Sequence, residues 1–286
     1  MNRRELGATA VATALSRREQ RSAPRQSGAA TAFSIVAAAF LLFAQGAFAV
    51  EPVEEIVEQK YPSDGAVTLT IRNTDGSVRI YGGDIAEISI QAIKKAYTSA
   101  RLKEIVVDIK ATRNSVAIET ISPPRKTGFS LRDRSGTVDY IITVPQTTKI
   151  TQLELMNGEV LVEGLRGGSA TAHLVNGWLC GHNCFADLNF SIANGRIDLA
   201  YDWWDSQKFS VKSSSQNASI RAILPSDASA TIAAQAPTGW IANGFEAKKS
   251  APAEPPHALN FTLGTEPEAA FEMKAANGNI RIDKMY

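Results

Sequence analysis

The chain reads as an all-β protein: a single-stranded parallel β-solenoid, β-helix-like, with coils of about 20 residues and one short helix near 94–104. Three observations predict this class. One phrase is said three times, as Met156-Asn157-Gly158-Glu159-Val160, Val175-Asn176-Gly177-Trp178-Leu179 and Ala193-Asn194-Gly195-Arg196-Ile197. Aligned on the aliphatic residue two after the corner, the coils fall at Val78, Val160, Leu179, Ile197, Ile220, Ile241 and Ile280, with spacings of 82, 19, 18, 23, 21 and 39. Most of these are one period, and the last is close to two. Between the phrases, apolar residues alternate, as in Ala170, Ala172, Leu174 and then Leu188, Phe190, Ile192, which is the pattern of a strand with one buried face.

A coil this short cannot bury its apolar side chains alone; stacked on a neighbour, its strands pair in parallel and the inward residues join one core. Glycine belongs at the corners because the chain must turn there with φ > 0. Asparagine tolerates the same region, and stacked asparagines can pair with one another along the corners. The expected corners are therefore Asn157-Gly158, Asn176-Gly177, Asn194-Gly195 and Asn277-Gly278, with Asn217-Ala218 a degenerate version. The rival fold is a β-sandwich of hairpins, since Asn-Gly also favours two-residue hairpin turns. A phrase returning every 18–23 residues is too widely and too evenly spaced for that.

Taken in order, residues 1–49 read as an export signal. They carry six arginines and two glutamates, then an apolar run Phe33–Ala44, then Ala47-Phe48-Ala49 in the small-x-small form of a cleavage site. The run is shorter than the roughly twenty apolar residues a permanent membrane helix wants. Their net charge of +4, against +1 for the whole chain, leaves −3 for the remainder. That is no footing for nucleic acid, which needs clustered Lys and Arg. Residues 50–64 read as an acidic linker or short helix. Residues 65–149 form an N-terminal strand region: Val67, Leu69 and Ile71 share one face, Asn73–Gly76 turns, and Val78-Arg79-Ile80 resumes. Lys94–Glu104 holds helix formers without strand alternation. Ser122–Gly136, with two prolines and two glycines, is an exposed loop. The repeat region proper is 150–286, with a Pro-rich loop at 246–268. Its final coil lacks a polar cap, so its open edge is expected to be available for pairing.

These features resemble the bacterial β-strand-repeat family called putative adhesins, a domain of unknown function. The resemblance rests on Val144-Pro145, on the coils at 157–160, 176–179 and 194–197, and on Ala276-Asn277-Gly278-Asn279-Ile280-Arg281-Ile282, and it covers roughly 67–284. It implies a β-solenoid of an exported or membrane-tethered protein and carries over no catalytic residues. Ala218 in place of a glycine, the Cys180–Cys184 pair and Trp203-Trp204 depart from the family pattern.

Three clusters hold residue types capable of chemistry. Cys180-Gly181-His182-Asn183-Cys184 fits a disulfide closing a tight corner in an oxidising compartment, two separate buried thiols, or a metal site one ligand short of closure. Tyr201, Trp203 and Trp204 beside Asp202 and Asp205 fit either ligand stacking, as on a sugar ring, or the capping of the core. Asp187, Asp198, Asp202 and Asp283 are spread over several coils, which argues against a β-helix polysaccharide enzyme, and His173 points outward from its strand. The sequence thus predicts an exported, non-enzymatic adhesion or envelope interaction module of the periplasm or cell surface. Its partner would be an envelope polymer or a cell-surface protein, with no cofactor and no metal. Self-association through the solenoid ends is the alternative.

Overall fold

The computed structural model describes residues 51–63, 65, 67–123, 136–246 and 256–285. The chain divides into two units, Met1–Ala49 and Val50–Tyr286. The expected export signal lies outside the described residues, all of which belong to the second unit. Among the described residues no helix is long and apolar enough to cross a membrane.

The second unit's described residues are all-β with one short helix, built on an open, mixed sheet. Its middle is made of five long strands: β2 (Thr68–Gly83), β7 (Lys149–Glu163), β8 (Arg166–His182), β9 (Phe185–Ala200) and β10 (Phe209–Pro225). Each runs through a corner at its centre, so it has a first limb before the corner and a second limb after it. All five stack in parallel, with bulges early in the first limbs of β2, β7 and β8 and a common register at the corners, where Gly76, Gly158, Gly177 and Gly195 face one another across β2, β7, β8 and β9. Inward positions alternate along both limbs and are buried: Ala170, Ala172 and Leu174 before the corner of β8, Leu179 after it. Burying Leu174 or Leu179 contributes about 1.5–3 kcal/mol each, and an alanine methyl about 0.8 kcal/mol.

The corner phrase has two physical reasons. Gly177 sits at φ 137° and Gly158 at φ 138°, and a Cβ on either would run into the carbonyl oxygen of the glycine one coil earlier. The asparagine before each glycine joins a ladder. Asn157 Nδ2 donates to Asp75 Oδ1 at 2.8 Å, Asn176 to Asn157 at 2.9 Å, Asn194 to Asn176 at 2.9 Å, Asn217 to Asn194 at 3.1 Å, and Asn277 to Asn217 at 3.0 Å. Thr238 closes that end, its hydroxyl 2.8 Å from the Ala276 carbonyl and 3.3 Å from Asn277 Oδ1. Every rung points the same way, and the series ends on a carboxylate that accepts and does not donate.

At the N-terminal end the stack forks. The first limb of β2 pairs in parallel with β5 (Ser115–Ile121), which carries β4 (Val106–Ala111) antiparallel. The second limb pairs in parallel with β6 (Thr137–Pro145), followed antiparallel by β3 (Glu87–Ala96) and β1 (Val53–Pro62). A purely parallel solenoid is therefore not what these residues form. Residues 53–62, read as a linker, are a strand because their carboxylates meet distant lysines: Lys94 Nζ lies 2.9 Å from Glu55 and Lys95 Nζ 3.5 Å from Glu54. Val57 and Tyr61 pack against the core on the same strand. The helix, α1 (Ser99–Glu104), is shorter than 94–104 because β3 continues to Ala96; Thr98 caps it by accepting from Arg101 N at 3.1 Å.

The C-terminal end departs furthest from the sequence reading. β11 (Ala230–Gln235) and β12 (Ile241–Asn243) do not stack on β10. The last coil, β14 (Ala269–Ala275) and β15 (Ile280–Met285), inserts between them, pairing with β10 on one side and with β11 and β12 on the other. The 39-residue interval thus separates two adjacent coils, Ile241 facing Ile280, and the C-terminal coil is interior rather than an open edge. The outermost strand there is β13 (Ala258–Leu263), antiparallel to β11. It lies within the stretch 246–268 read as a loop; residues 247–255 of that stretch, like 124–135 of the other expected loop, lie outside the described residues.

Candidate functional site

The connections from second limb to next first limb set the shape of one edge of the stack. Two of them are tight: Gly164-Leu165 between β7 and β8, and Asn183-Cys184 between β8 and β9. The third, Tyr201–Lys208 between β9 and β10, is eight residues long, and it accounts for the widened spacing of 23.

This connection is pinned at three points. Tyr201 is 1% exposed, and its hydroxyl donates to the Cys184 carbonyl at 3.0 Å. Asp202 N donates to Asn183 Oδ1 at 2.8 Å, and Asn183 Nδ2 returns to Asp202 Oδ2 at 3.0 Å. Asn183 holds φ 49°, the one left-handed non-glycine among the described residues, a conformation asparagine supports at low cost. Arg166 reaches over from β8 to Asp205 at 2.6 Å, its guanidinium lying 5.5 Å from the Phe185 ring centre.

The aromatic residues divide by this anchoring. Tyr201, Phe185, Phe209 and Phe271 form one buried cluster with ring centres 5.4–6.0 Å apart. Trp204 packs against it, 5.8 Å from Phe209. Trp203 is different: it rests on Phe185 at 6.1 Å and stays 49% exposed. Of the three residues read as stacking candidates, the structure leaves Trp203 on the surface and commits Tyr201 and Trp204 to packing. The inward alternation of Ile197 and Leu199 carries on to Tyr201, but β9 ends at Ala200, and past it the alternation no longer decides which tryptophan is buried.

Beside Trp203 lies a polar group that only the stacking brings together. Glu163, His182 and Asp202 come from three successive coils. His182 Nε2 is 2.9 Å from Asp202 Oδ2, and Nδ1 is 3.4 Å from Glu163 Oε1. The Asn183 amide and then His182 hold the Asp202 carboxyl below the usual carboxylate range, against its partial burial. Sequence reading missed Glu163, Arg166 and Asn183 as site residues. The available signal was the coil register: Glu163 and His182 stand five positions after Gly158 and Gly177.

Cys180 and Cys184 are both buried, with free thiols. Four residues apart, they would share a face on one continuous strand, but β8 ends at His182 and Asn183 turns the chain at φ 49° between them. Cys184 belongs to the core, its Sγ donating to the Val162 carbonyl at 3.3 Å, whereas Cys180 alternates with inward Leu179 and faces away from it. Burial pushes both thiols up to about 12, with Asp198 adding to the effect at Cys180. No group of three or more His, Cys, Asp or Glu suited to a metal occurs among the described residues.

The scattered carboxylates each have their own partner. Asp187 accepts from Ser210 N at 2.8 Å, Asp198 from Trp178 Nε1 at 2.7 Å, and Asp283 from Arg221 and Arg281 at 2.7 and 2.6 Å. On the outward face of the first limbs, Glu119, Arg72, Glu154, His173 and Ser191 form a polar row across β5, β2, β7, β8 and β9. His173 Nδ1 lies 2.9 Å from Ser191 Oγ. A shallow cleft of about 460 Å³ runs beside this row, with Met156 and Val175 on its apolar side.

No protein-family model matches the chain, and no curated protein matches it. Among solved structures, the chain is similar to a putative cell adhesion protein from Clostridium sporogenes, with 17% identity, 82% of this chain and 100% of that one covered, and a TM-score of 0.49. It is also similar to a putative adhesin from Bacteroides fragilis, with 8% identity, 81% and 98% covered, and a TM-score of 0.27.

Proposed function

We propose that the stacked coils constitute a parallel β-solenoid flanked by antiparallel strands at its two ends, and that the chain is an exported, non-enzymatic module for adhesion or envelope interaction. Its ligand is an envelope glycan, gripped at the Tyr201–Lys208 connection. The observation that carries this reading is Trp203: a large ring left 49% exposed on a connection that Arg166–Asp205 and Asn183–Asp202 hold in place. A flat apolar ring on the same connection as Asp202 and Asp205, which His182 and Arg166 meet, offers a stacking surface and polar partners to the same sugar. Ordering costs are met before the ligand arrives, because the connection is already pinned.

The test is retention of the purified chain on isolated envelope glycan and, separately, on envelope protein. Trp203→Ala is expected to weaken glycan retention about tenfold or more, as for a central aromatic anchor. Trp240→Ala removes a ring 38% exposed elsewhere on the molecule and is expected to leave retention unchanged. Glycan retention that is indifferent to both substitutions removes the reading.

A further inference from the structure

Among the described residues four strands have one side without a strand partner, and they are not alike. β12 is only three residues long, and its Ile241 N already donates to the Pro256 carbonyl at 3.0 Å. β1 carries Glu54, Glu55, Glu58 and Lys60 and ends at Pro62. β4 carries Asp108 and Lys110, 2.9 Å apart. Charge and proline on an edge are how sheets discourage another chain from adding to them. β13, Ala258-Leu259-Asn260-Phe261-Thr262-Leu263, has neither. One side of β13 pairs with β11, from Ala230 opposite Leu263 to Gln235 opposite Ala258. Its other row of N–H and C=O groups has no strand partner among the described residues.

The side chains of β13 alternate with a symmetry that bears on the partner. Leu259, Phe261 and Leu263 are half-buried and pack against the core, while Asn260 and Thr262 are exposed. The order apolar, polar, apolar, polar, apolar is the same read in either direction. A strand with that pattern is complementary to its own antiparallel copy, and it brings no like charges face to face.

We infer that β13 is a dimerisation edge, pairing antiparallel with β13 of a second copy about a two-fold axis through Phe261. Strand parity restricts the register, because directly opposed residues in an antiparallel pair share a face. Centring on Phe261 sets Phe261 opposite Phe261, Leu259 opposite Leu263, and Asn260 opposite Thr262. All three apolar residues then lie in one row continuous with both cores. Centring on Asn260 keeps the parity but leaves Leu263 without a partner. The pairing makes one sheet of two, and it places both copies of the Trp203 connection on one particle. It does not depend on what that connection binds.

The test is sedimentation velocity on the purified chain over a concentration series, with two double variants at exposed positions. Asn260→Lys with Thr262→Lys sets like charges across both polar pairs. Asn260→Lys with Thr262→Glu sets opposite charges across the same pairs. The parent is expected to sediment as a dimer that dissociates on dilution. The first variant should sediment as a monomer throughout, and the second as a dimer. Circular dichroism of both variants should match the parent, which separates loss of pairing from loss of fold. A parent that stays monomeric at the highest concentration overturns the inference. So do two correctly folded variants that behave alike, because the register then has no influence on association.

Discussion

A single asparagine in this stack is both donor and acceptor, which decides what its loss does. Asn176 gives its amide to Asn157 and accepts from Asn194. Asn176→Ala therefore leaves two partners unmatched, and an unmatched polar group costs about 1–3 kcal/mol where water is excluded. These corners are exposed, so a loss near the lower figure, roughly 1 kcal/mol, is expected in urea titration. Asn176→Asp keeps the acceptor and loses the donor, and it should fall between parent and alanine. The thiols give a second residue-scale test. Cys180 and Cys184 are raised in the folded state, from an ordinary thiol near 9 to about 12. A raised group contributes stability that is whole below the unfolded value and is lost as pH climbs through the folded one. Alkaline destabilisation should therefore set in near pH 9 and grow towards pH 12, and Cys184→Ala should flatten it, read by thermal unfolding across that range. Native-state alkylation at neutral pH should be slow at both positions, since the thiolate is the reactive form.

Among elements, the inserted last coil has the most consequence. β14 and β15 are the only link, in strand pairing, between β10 and the β11–β13 group among the described residues. Removing residues 269–286 takes away Phe271 and Met273, both buried, along with the Asn277 rung. The β11–β13 segment should then lose its amide protection in hydrogen exchange while β7, β8 and β9 retain theirs. Equal protection of Ala230–Leu263 in parent and truncated chains would contradict this arrangement. The insertion was not legible in the sequence for a physical reason. Spacing reports how far apart two corners are along the chain, not which coil a corner lands on. Gly239 and Gly278 open equivalent phrases, and either could have followed Ala218. The corners themselves were legible because close glycine-to-glycine approach and the positive φ leave little choice of residue. β1 was not, since its acidic residues make sense only beside Lys94 and Lys95, far along the chain.

At the scale of the molecule, each coil touches chiefly the two beside it, so stability is close to a sum over neighbouring interfaces. The candidate site shows what such a sum can build and what sequence can reveal of it. Tyr201, Trp203 and Trp204 stood out together by residue type, with nothing in the sequence to say which would stay exposed, and the spacing of 23 passed as one ordinary period. The supports of Trp203 did not stand out: Glu163, His182 and Asp202 belong to three coils, and Arg166 meets Asp205 from two coils away. Only the register of the stack brings them together. The same register sets the ends apart, with charge on β1 and β4 and none on β13, so that growth of the sheet is discouraged at one end and left open at the other.

The asparagine ladder also governs how the molecule ages. Asn157, Asn176, Asn194 and Asn277 each precede a glycine, and that pair is the most susceptible to spontaneous deamidation. The glycine nitrogen meets no side chain of its own as it closes on the asparagine side-chain carbon and expels ammonia; hydrolysis of the ring leaves aspartate or isoaspartate. Each such event would turn an interior rung into an acceptor only, the state that Asp75 holds by sequence at the terminus. Chemical damage would thus write a second end into the middle of the stack.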